Sequence, residues 1–184
     1  MDKNIELEKD YVTKVVNTLS QHLKVSQEVK CDCGKCRIDI IVTTKEGYRF
    51  GIECKRTNSK KGEEMGKFIQ QAVRYSNHTF SKEYIPIFIA PALSYNYFVL
   101  NEEVKDIDGV DWVKDRHGKN HQHHSFNGFL GDFGIGELRK YKDELFYFSF
   151  SNKIIWTSKK WYSVYNNAGT HQENYDKLIK KIQK

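Results

Sequence analysis

Two runs of alternating apolar and polar residues lie close together in the first third of the chain. A period of two residues is typical of a β-strand with two different faces. The polar stretch 44–47 separates the runs and contains Gly47, which predicts a hairpin of adjacent antiparallel strands. The residues predicted to face a core are Cys36, Ile38, Ile40 and Val42 in the first run and Tyr48, Phe50, Ile52 and Cys54 in the second.

Three charged residues fall on the opposite face of this hairpin, Asp39 in the first run and Glu53 and Lys55 in the second. Two neighbouring carboxylates repel each other, so the pair favours a cation between them. Oxygen ligands suit Mg²⁺, which usually works beside a phosphate, and a nearby lysine can stabilise phosphate charge. The pattern predicts a site for phosphodiester hydrolysis. The alternative is an ordinary solvated sheet face, where Glu-x-Lys is common.

Helical periodicity flanks the hairpin on both sides. Residues 5–23 predict an amphipathic helix, and residues 61–80 predict a second helix. In the second helix Gln71 and Tyr75 are four residues apart and therefore share a face. The apolar run 84–93 that follows predicts a third core strand, paired beside the hairpin in a mixed sheet.

The arrangement of Asp39, then Glu53-Cys54-Lys55, on a hairpin after an N-terminal helix resembles the PD-(D/E)xK nuclease superfamily, whose fold is the restriction-endonuclease-like fold. One departure is Ile38, because many members have a proline before the aspartate. The resemblance covers about residues 5 to 95.

Two flanking segments extend the resemblance. The stretch LEKDYVTKVVNTL is similar to the first helix of archaeal Holliday-junction resolvases, in which a glutamate reaches the metal site. Glu8 is the corresponding residue in this chain, and Glu6 is the alternative. The pair Gln71 and Tyr75 is similar to the Gln-x-x-x-Tyr motif of RecB-type exonucleases, in which the glutamine lies beside the active site. Gln70 is the competing choice there.

The resemblance implies an α/β fold with a central mixed β-sheet flanked by helices. Residues 1–95 would form the nuclease core, and residues 96–184 a β-rich C-terminal extension packed on it as one domain. It also implies Mg²⁺ as cofactor, with Mn²⁺ as a substitute, and Lys55 beside the attacking water. The implied catalytic residues are Glu8, Asp39, Glu53, Lys55 and Gln71, and the implied metal ligands are Glu8, Asp39, Glu53 and the main-chain carbonyl of Cys54.

Several substrates and functions are compatible with these motifs. Similarity to junction resolvases implies a homodimeric endonuclease that cuts branched DNA, whereas the glutamine motif implies a RecB-like exonuclease. A restriction-type endonuclease and a non-catalytic DNA-binding protein with this fold are further alternatives. A chain of 184 residues shows no enclosing domain of the kind that a processive exonuclease needs, which favours the dimeric endonuclease.

Charge supports an anionic partner. Lys and Arg total 30 against 24 acidic residues, giving a net charge of +6 and a pI near 9.0. The sequence has no apolar run long enough to span a membrane and no signal peptide, which predicts a cytoplasmic protein. The residues predicted to contact nucleic acid are Arg37, Arg49, Arg56, Lys60, Lys61, Tyr75, Lys159 and Lys160.

A cysteine cluster suggests a rival site. Cys31, Cys33 and Cys36 lie within six residues and could bind a structural Zn²⁺, with Cys54 or His22 as a fourth ligand. Their spacing is not that of a standard zinc motif, and buried free cysteine is a common small apolar residue. We therefore expect these cysteines to be metal-free.

The second half of the chain carries weaker signals. Residues 114–127 contain four histidines among polar residues and predict a loop, and the glycines of residues 128–136 predict turns. Residues 144–167 alternate on either side of Ser151 and Asn152, which predicts an aromatic β-hairpin. Residues 172–184 predict a short basic helix.

Overall fold

A mixed β-sheet connects the two halves of the chain in the computed structural model, which describes residues 8–55, 62–92, 128–141, 145–151, 153–158 and 170–183. The helices are α1 (Glu8–Ser20), α2 (Gly62–Ser76) and α3 (His171–Ile182), and residues 128–132 form a short helical turn. The strands are β1 (Lys24–Lys30), β2 (Arg37–Thr43), β3 (Arg49–Cys54), β4 (Thr79–Phe80), β5 (Glu83–Tyr84), β6 (Ile87–Ala90), β7 (Ile135–Tyr141), β8 (Leu145–Phe150) and β9 (Lys153–Thr157).

Seven of these strands form one sheet in the order β1-β2-β3-β6-β7-β8-β9. Strand β6 pairs in parallel with both β3 and β7, and the remaining neighbours in the sheet are antiparallel. Strands β4 and β5 form a separate two-stranded ribbon. The expected α/β architecture with a central mixed sheet flanked by helices is confirmed, and strands from the C-terminal half extend that sheet.

One face of the sheet is covered by α1 and α3. Apolar side chains of α1 recur at helical spacing, with Leu19 fully buried and Tyr11, Val12, Val15 and Val16 packed against the same core. Helix α3 begins at a capping box, in which Thr170 and Glu173 exchange backbone and side-chain hydrogen bonds. The sheet contributes aromatic and aliphatic side chains to this core, including Ile40, Val42, Phe50, Ile52, Phe88 and Phe148.

The other face of the sheet is covered by α2. Phe68, Ala72 and Tyr75 are buried at positions i, i+4 and i+7 of this helix, so one stripe of α2 packs on the sheet. Ile87 and Ile89 of β6 contribute to the same core. Because α2 contacts Glu53 through Gln71, this carboxylate does not lie on an open surface. No helix in the described part of the chain has the length and apolar character needed to cross a membrane.

Most of the predicted elements are present. The structure confirms the hairpin, the third core strand, the aromatic hairpin of β8 and β9, and the terminal helix. The core face predicted for the first strand is confirmed at Ile40 and Val42 but wrong at Cys36 and Ile38, which pack in the core beneath α2. The second helix ends at Ser76, before the predicted end at residue 80. The predicted histidine-rich loop at residues 114–127 lies outside the described residues.

Two strands of the seven-stranded sheet were not predicted, β1 and β7, and neither was the separate ribbon of β4 and β5. Strand β1 is an edge strand whose residues are mostly exposed, so it lacks the apolar alternation that marks a half-buried strand. Strand β7 includes Gly136, and the prediction of a turn at that glycine is wrong. The ring of Phe88 packs where a Gly136 side chain would be, because a Cβ there would lie 2.3 Å from Phe88 Cε1. The prediction of turns is also wrong at residues 128–131, which are helical.

We predict that Gly136→Ala destabilises the protein by about 1–3 kcal/mol, because the added methyl group would clash with Phe88 and would lie 2.7 Å from the Ser149 carbonyl oxygen. The matched control is Gly66→Ala in the exposed part of α2, where no atom lies within 4 Å of a built Cβ. That change should stabilise the protein by about 0.5–1 kcal/mol through helix propensity. Denaturant unfolding of both variants measures the difference, and equal midpoints would contradict the packing described for β6 and β7.

Candidate active site

The hairpin of β2 and β3 brings Asp39 and Glu53 to the same place on the sheet. Ile41 is the partner of Gly51 in this antiparallel pair, so continuing the register by two residues sets Asp39 opposite Glu53. Both side chains lie on the face covered by α2. The Asp39 carboxylate is oriented by the backbone, because the Cys54 N–H donates a 2.8 Å hydrogen bond to Asp39 Oδ2.

Helix α2 holds the Glu53 carboxylate from above. Gln71 Nε2 donates to Glu53 Oε1 at 2.5 Å and to Tyr75 Oη at 2.6 Å. Gln71 and Tyr75 are one turn apart, so a single face of α2 supplies both groups. The Glu53 side chain is only 2% exposed. Its second oxygen, Oε2, is buried and has no hydrogen-bond partner among the residues that the structure describes.

Lys55 and Glu8 complete the group of charged residues. Lys55 follows the end of β3, and its Nζ lies 3.5 Å from Glu53 Oε1 and 3.5 Å from Glu8 Oε1. Glu8 is the first residue of α1, so the group draws side chains from both layers of helices. Lys55 and Glu8 are 33% and 45% exposed, respectively. The site is therefore buried at Glu53 and open to solvent at Lys55 and Glu8.

Burial raises the pKa of both central carboxylates, and the charge of Asp39 adds to the shift at Glu53. Desolvation, followed by the negative charge of Asp39, raises the pKa of Glu53 to about 8. The pKa of Asp39 is also raised, mainly by burial, although the Cys54 N–H and the charge of Lys55 oppose the shift. Burial acts to lower the pKa of Lys55, but the combined charges of Glu53, Glu8 and Asp39 outweigh it and raise that pKa.

The donor atoms fit a divalent cation. A buried carboxylate oxygen without a hydrogen-bond donor is costly, and two carboxylates on adjacent strands add repulsion. A cation with oxygen preference, such as Mg²⁺ or Mn²⁺, would satisfy Glu53 Oε2 and neutralise both charges. The four charged or polar groups predicted to act with Asp39, namely Glu8, Glu53, Lys55 and Gln71, all lie at this place in the structure.

Among the described residues, those predicted to contact nucleic acid are not part of this group. Arg37 forms an ion pair with Glu28, and Arg49 pairs with Glu83 and donates to the Phe80 carbonyl. Tyr75 is 6% exposed and accepts the Gln71 hydrogen bond, so its position does not fit a direct contact with nucleic acid. The buried Tyr75 instead holds the Gln71 side chain in position. Arg56, Lys60, Lys61, Lys159 and Lys160 lie outside the described residues.

A second charged pair on this face was not anticipated from the sequence. Glu137 of β7 is the neighbour of Ile89, which is in turn the neighbour of Glu53 across the parallel strands. Glu137 Oε2 lies 2.6 Å from Arg139 Nη2, and their side chains are 2% and 17% exposed. The alternating charges of Glu137 and Arg139 could have indicated such a pair from the sequence. The strand was not predicted because the glycines of residues 128–136 were interpreted as turns.

Neither of the residues suggested as a fourth ligand for the cysteine cluster is near it. Cys54 and the ring of His22 pack with the core beneath α1 and α3, whereas Cys31 and Cys36 belong to the core beneath α2. Those two assignments are wrong because alternation along β3 directs Cys54 to the side of the sheet opposite Glu53, and His22 packs against Phe146 on that same side. The structure instead brings His78 to the cysteines.

Comparison of the chain with protein-family models, with curated proteins and with solved structures found no match. Function is therefore inferred from the residues of the site.

We predict that the metal-free protein loses stability as the pH rises. The folded-state pKa of Glu53 is raised, so its stabilising contribution is full below the ordinary value of 4.5 and is lost as the pH rises through about 8. Glu53→Gln should remove this loss and make the variant more stable than the wild type above pH 8, by about 1–3 kcal/mol. Urea unfolding in EDTA between pH 4.5 and 9 measures both profiles.

Asp132→Asn is the control for the loss of one carboxylate, since this side chain is 82% exposed and removing it takes no buried charge out of the protein. It should keep the wild-type profile. A Glu53→Gln variant that is destabilised to the same extent at both ends of the pH range would contradict the assigned burial of a charge.

Proposed function

We propose that the protein is a metal-dependent nuclease that hydrolyses DNA phosphodiester bonds. The observation that carries the proposal is the convergence of Asp39, Glu53 and Lys55, with Glu53 Oε2 buried and without a hydrogen-bond partner among the described residues. Paired carboxylates beside a lysine suit phosphoryl chemistry, because the substrate and the transition state both carry negative charge.

Asp39 and Glu53 would hold the cation, with the main-chain carbonyl of Cys54 beside them and Glu8 at the solvent side. A bound Mg²⁺ supplies Lewis-acid stabilisation of negative charge on the scissile phosphate. Gln71 fixes Glu53 Oε1 at 2.5 Å, which leaves Oε2 as the free ligand atom. Tyr75 in turn fixes the Gln71 amide. This pairing supports a positioning role for both residues of the glutamine motif.

Lys55 would act on the reacting groups directly. Hydrolysis joins a water oxygen to phosphorus and breaks the bond to the leaving oxygen, which takes up a proton. The ammonium group of Lys55 is one-third exposed and lies between Glu8 and Glu53, at the open side of the site. From there it can orient the attacking water and offset charge that develops on the phosphate oxygens.

Branched DNA is the substrate that we propose, cut by a homodimer. The similarity of α1 to the first helix of junction resolvases suggests it, and the contact between Glu8 and Lys55 supports a role for that helix in the site. The net charge of +6 suits a polyanionic substrate. A RecB-like exonuclease is the second candidate, because Gln71 contacts Glu53 directly.

Asp39→Ala and Glu53→Ala should each abolish Mg²⁺-dependent cleavage, since either change removes a ligand from the cation. The assay uses a four-way junction and a linear duplex of the same sequence, with Asp132→Asn as the control that keeps wild-type cleavage. Mg²⁺ should also raise the melting temperature of the wild type, but not that of the two alanine variants. Wild-type cleavage by either alanine variant would refute the site, and degradation of linear ends without junction cleavage would favour the exonuclease.

Lys55→Ala should lower the rate of cleavage by at least about a hundredfold with little change in DNA affinity, because the ammonium group is needed chiefly in the transition state. Single-turnover cleavage and a binding assay in Ca²⁺ separate the two quantities. Lys177→Ala, an exposed lysine of α3 on the other side of the sheet, is the control and should retain both. Weaker binding at an unchanged rate would make Lys55 an ordinary phosphate contact.

A further inference from the structure

The loop between β1 and β2 gathers thiol and imidazole groups from distant parts of the chain. Cys31 Sγ lies 3.2 Å from Cys33 Sγ, and Cys33 Sγ lies 3.5 Å from Nδ1 of His78. One ligand atom from each of the three residues lies within 4.8 Å of the others. Ligand atoms bound tetrahedrally to zinc at about 2.0–2.3 Å are about 3.3–3.8 Å apart, so this spacing suits a shared ion.

The surroundings of these atoms also suit a metal site. The Cys36 N–H donates to Cys31 Sγ at 3.1 Å, and the thiol of Cys36 also hydrogen-bonds Cys31, so a third sulfur is at hand as a fourth ligand. Cys31 is buried, while Cys33 is exposed, which leaves a route for an ion to enter. Sulfur and imidazole ligands select Zn²⁺ over Mg²⁺, which prefers oxygen. The cluster is thus chemically distinct from the carboxylate site.

The same loop is docked on the segment that follows α2. The Asp32 N–H donates to the Thr79 carbonyl, and the Asp32 carboxylate accepts from the N–H groups of Ser81 and Lys82 at 2.9 and 2.7 Å. Ser81 and Lys82 have positive φ values of 57° and 64°, an uncommon conformation that these hydrogen bonds stabilise. The loop therefore has a defined position relative to the C-terminal end of α2.

We propose that Cys31, Cys33 and His78 bind one structural Zn²⁺ that ties the β1–β2 loop to the end of α2. The ion would fix the end of the helix whose preceding turns carry Gln71 and Tyr75. This proposal replaces the expectation of metal-free cysteines, which was made without His78, a residue 45 positions from Cys33. It does not depend on the nuclease proposal, because neither its ligands nor its test involves cleavage.

The test is metal analysis of the full chain purified without added metal, followed by Co²⁺ titration of protein stripped with a chelator. We expect about one zinc per chain, and with Co²⁺ the visible bands of a tetrahedral site together with a sulfur-to-cobalt charge-transfer band. Cys33→Ser and His78→Ala should each weaken Co²⁺ binding at least about tenfold. Both side chains lie at the surface or partly exposed, so their loss opens no large cavity.

His22→Ala is the matched control, since it removes the same ligand type as His78→Ala from the other side of the sheet. It should keep zinc content and the cobalt spectrum. Chelation should lower the melting temperature of the wild type by several degrees and leave that of Cys33→Ser unchanged. Zinc-free protein without a cobalt charge-transfer band would overturn the proposal. A measured protein mass lower by two hydrogen atoms, which shows a disulfide between the cysteines, would also overturn it.

Discussion

The burial of the Glu53 carboxylate beneath α2 is the constraint on which the site depends. A charged side chain that is only 2% exposed needs hydrogen bonds or an opposite charge to offset its lost hydration. The two oxygens of Glu53 differ in this respect. One oxygen accepts from Gln71, while the other has no partner among the described residues. Asp39 on the adjacent strand increases the cost, since its charge helps to raise the pKa of Glu53 to about 8. Stability alone would not favour such a pair, whereas a bound cation would make both carboxylates favourable.

The two layers of helices contribute to the site in different ways. Helix α2 packs on the face that carries Glu53 and supplies a hydrogen-bonded pair, Gln71 and Tyr75, that holds one carboxylate oxygen. Helix α1 belongs to the opposite layer, yet its first residue, Glu8, contacts Lys55 at the end of β3. The site therefore lies at one end of the sheet, where side chains from both layers of helices meet. This arrangement leaves Lys55 partly exposed beside a buried carboxylate, which suits a substrate that approaches from solvent.

Accurate placement of α2 matters more here than in an ordinary helical layer. Gln71 must lie within hydrogen-bond distance of Glu53, so a small shift of the helix would release the carboxylate. The helix is held along its length by Phe68, Ala72 and Tyr75 in the core. Beyond its C-terminal end, the β1–β2 loop adds hydrogen bonds from Asp32, and the proposed zinc would add a link through His78. The helix that contacts Glu53 through Gln71 would then also be the helix whose end the zinc fixes.

The strands whose two faces differ, and the charges that they carry, could be predicted from the sequence. Alternation over residues 39–55 was enough to place Asp39, Glu53 and Lys55 on one face, because side chains in a strand alternate with a fixed period. The same reasoning was wrong at Cys36 and Ile38, which pack in the core beneath α2. It could not reveal β1, an exposed edge strand, or β7, where Gly136 makes room for Phe88. Three features became visible only in the folded structure: Glu53 is buried, Gln71 donates a hydrogen bond to it, and His78 lies beside Cys31 and Cys33. Those contacts join residues far apart in the chain, and local periodicity carries no information about which distant segment will cover a given face.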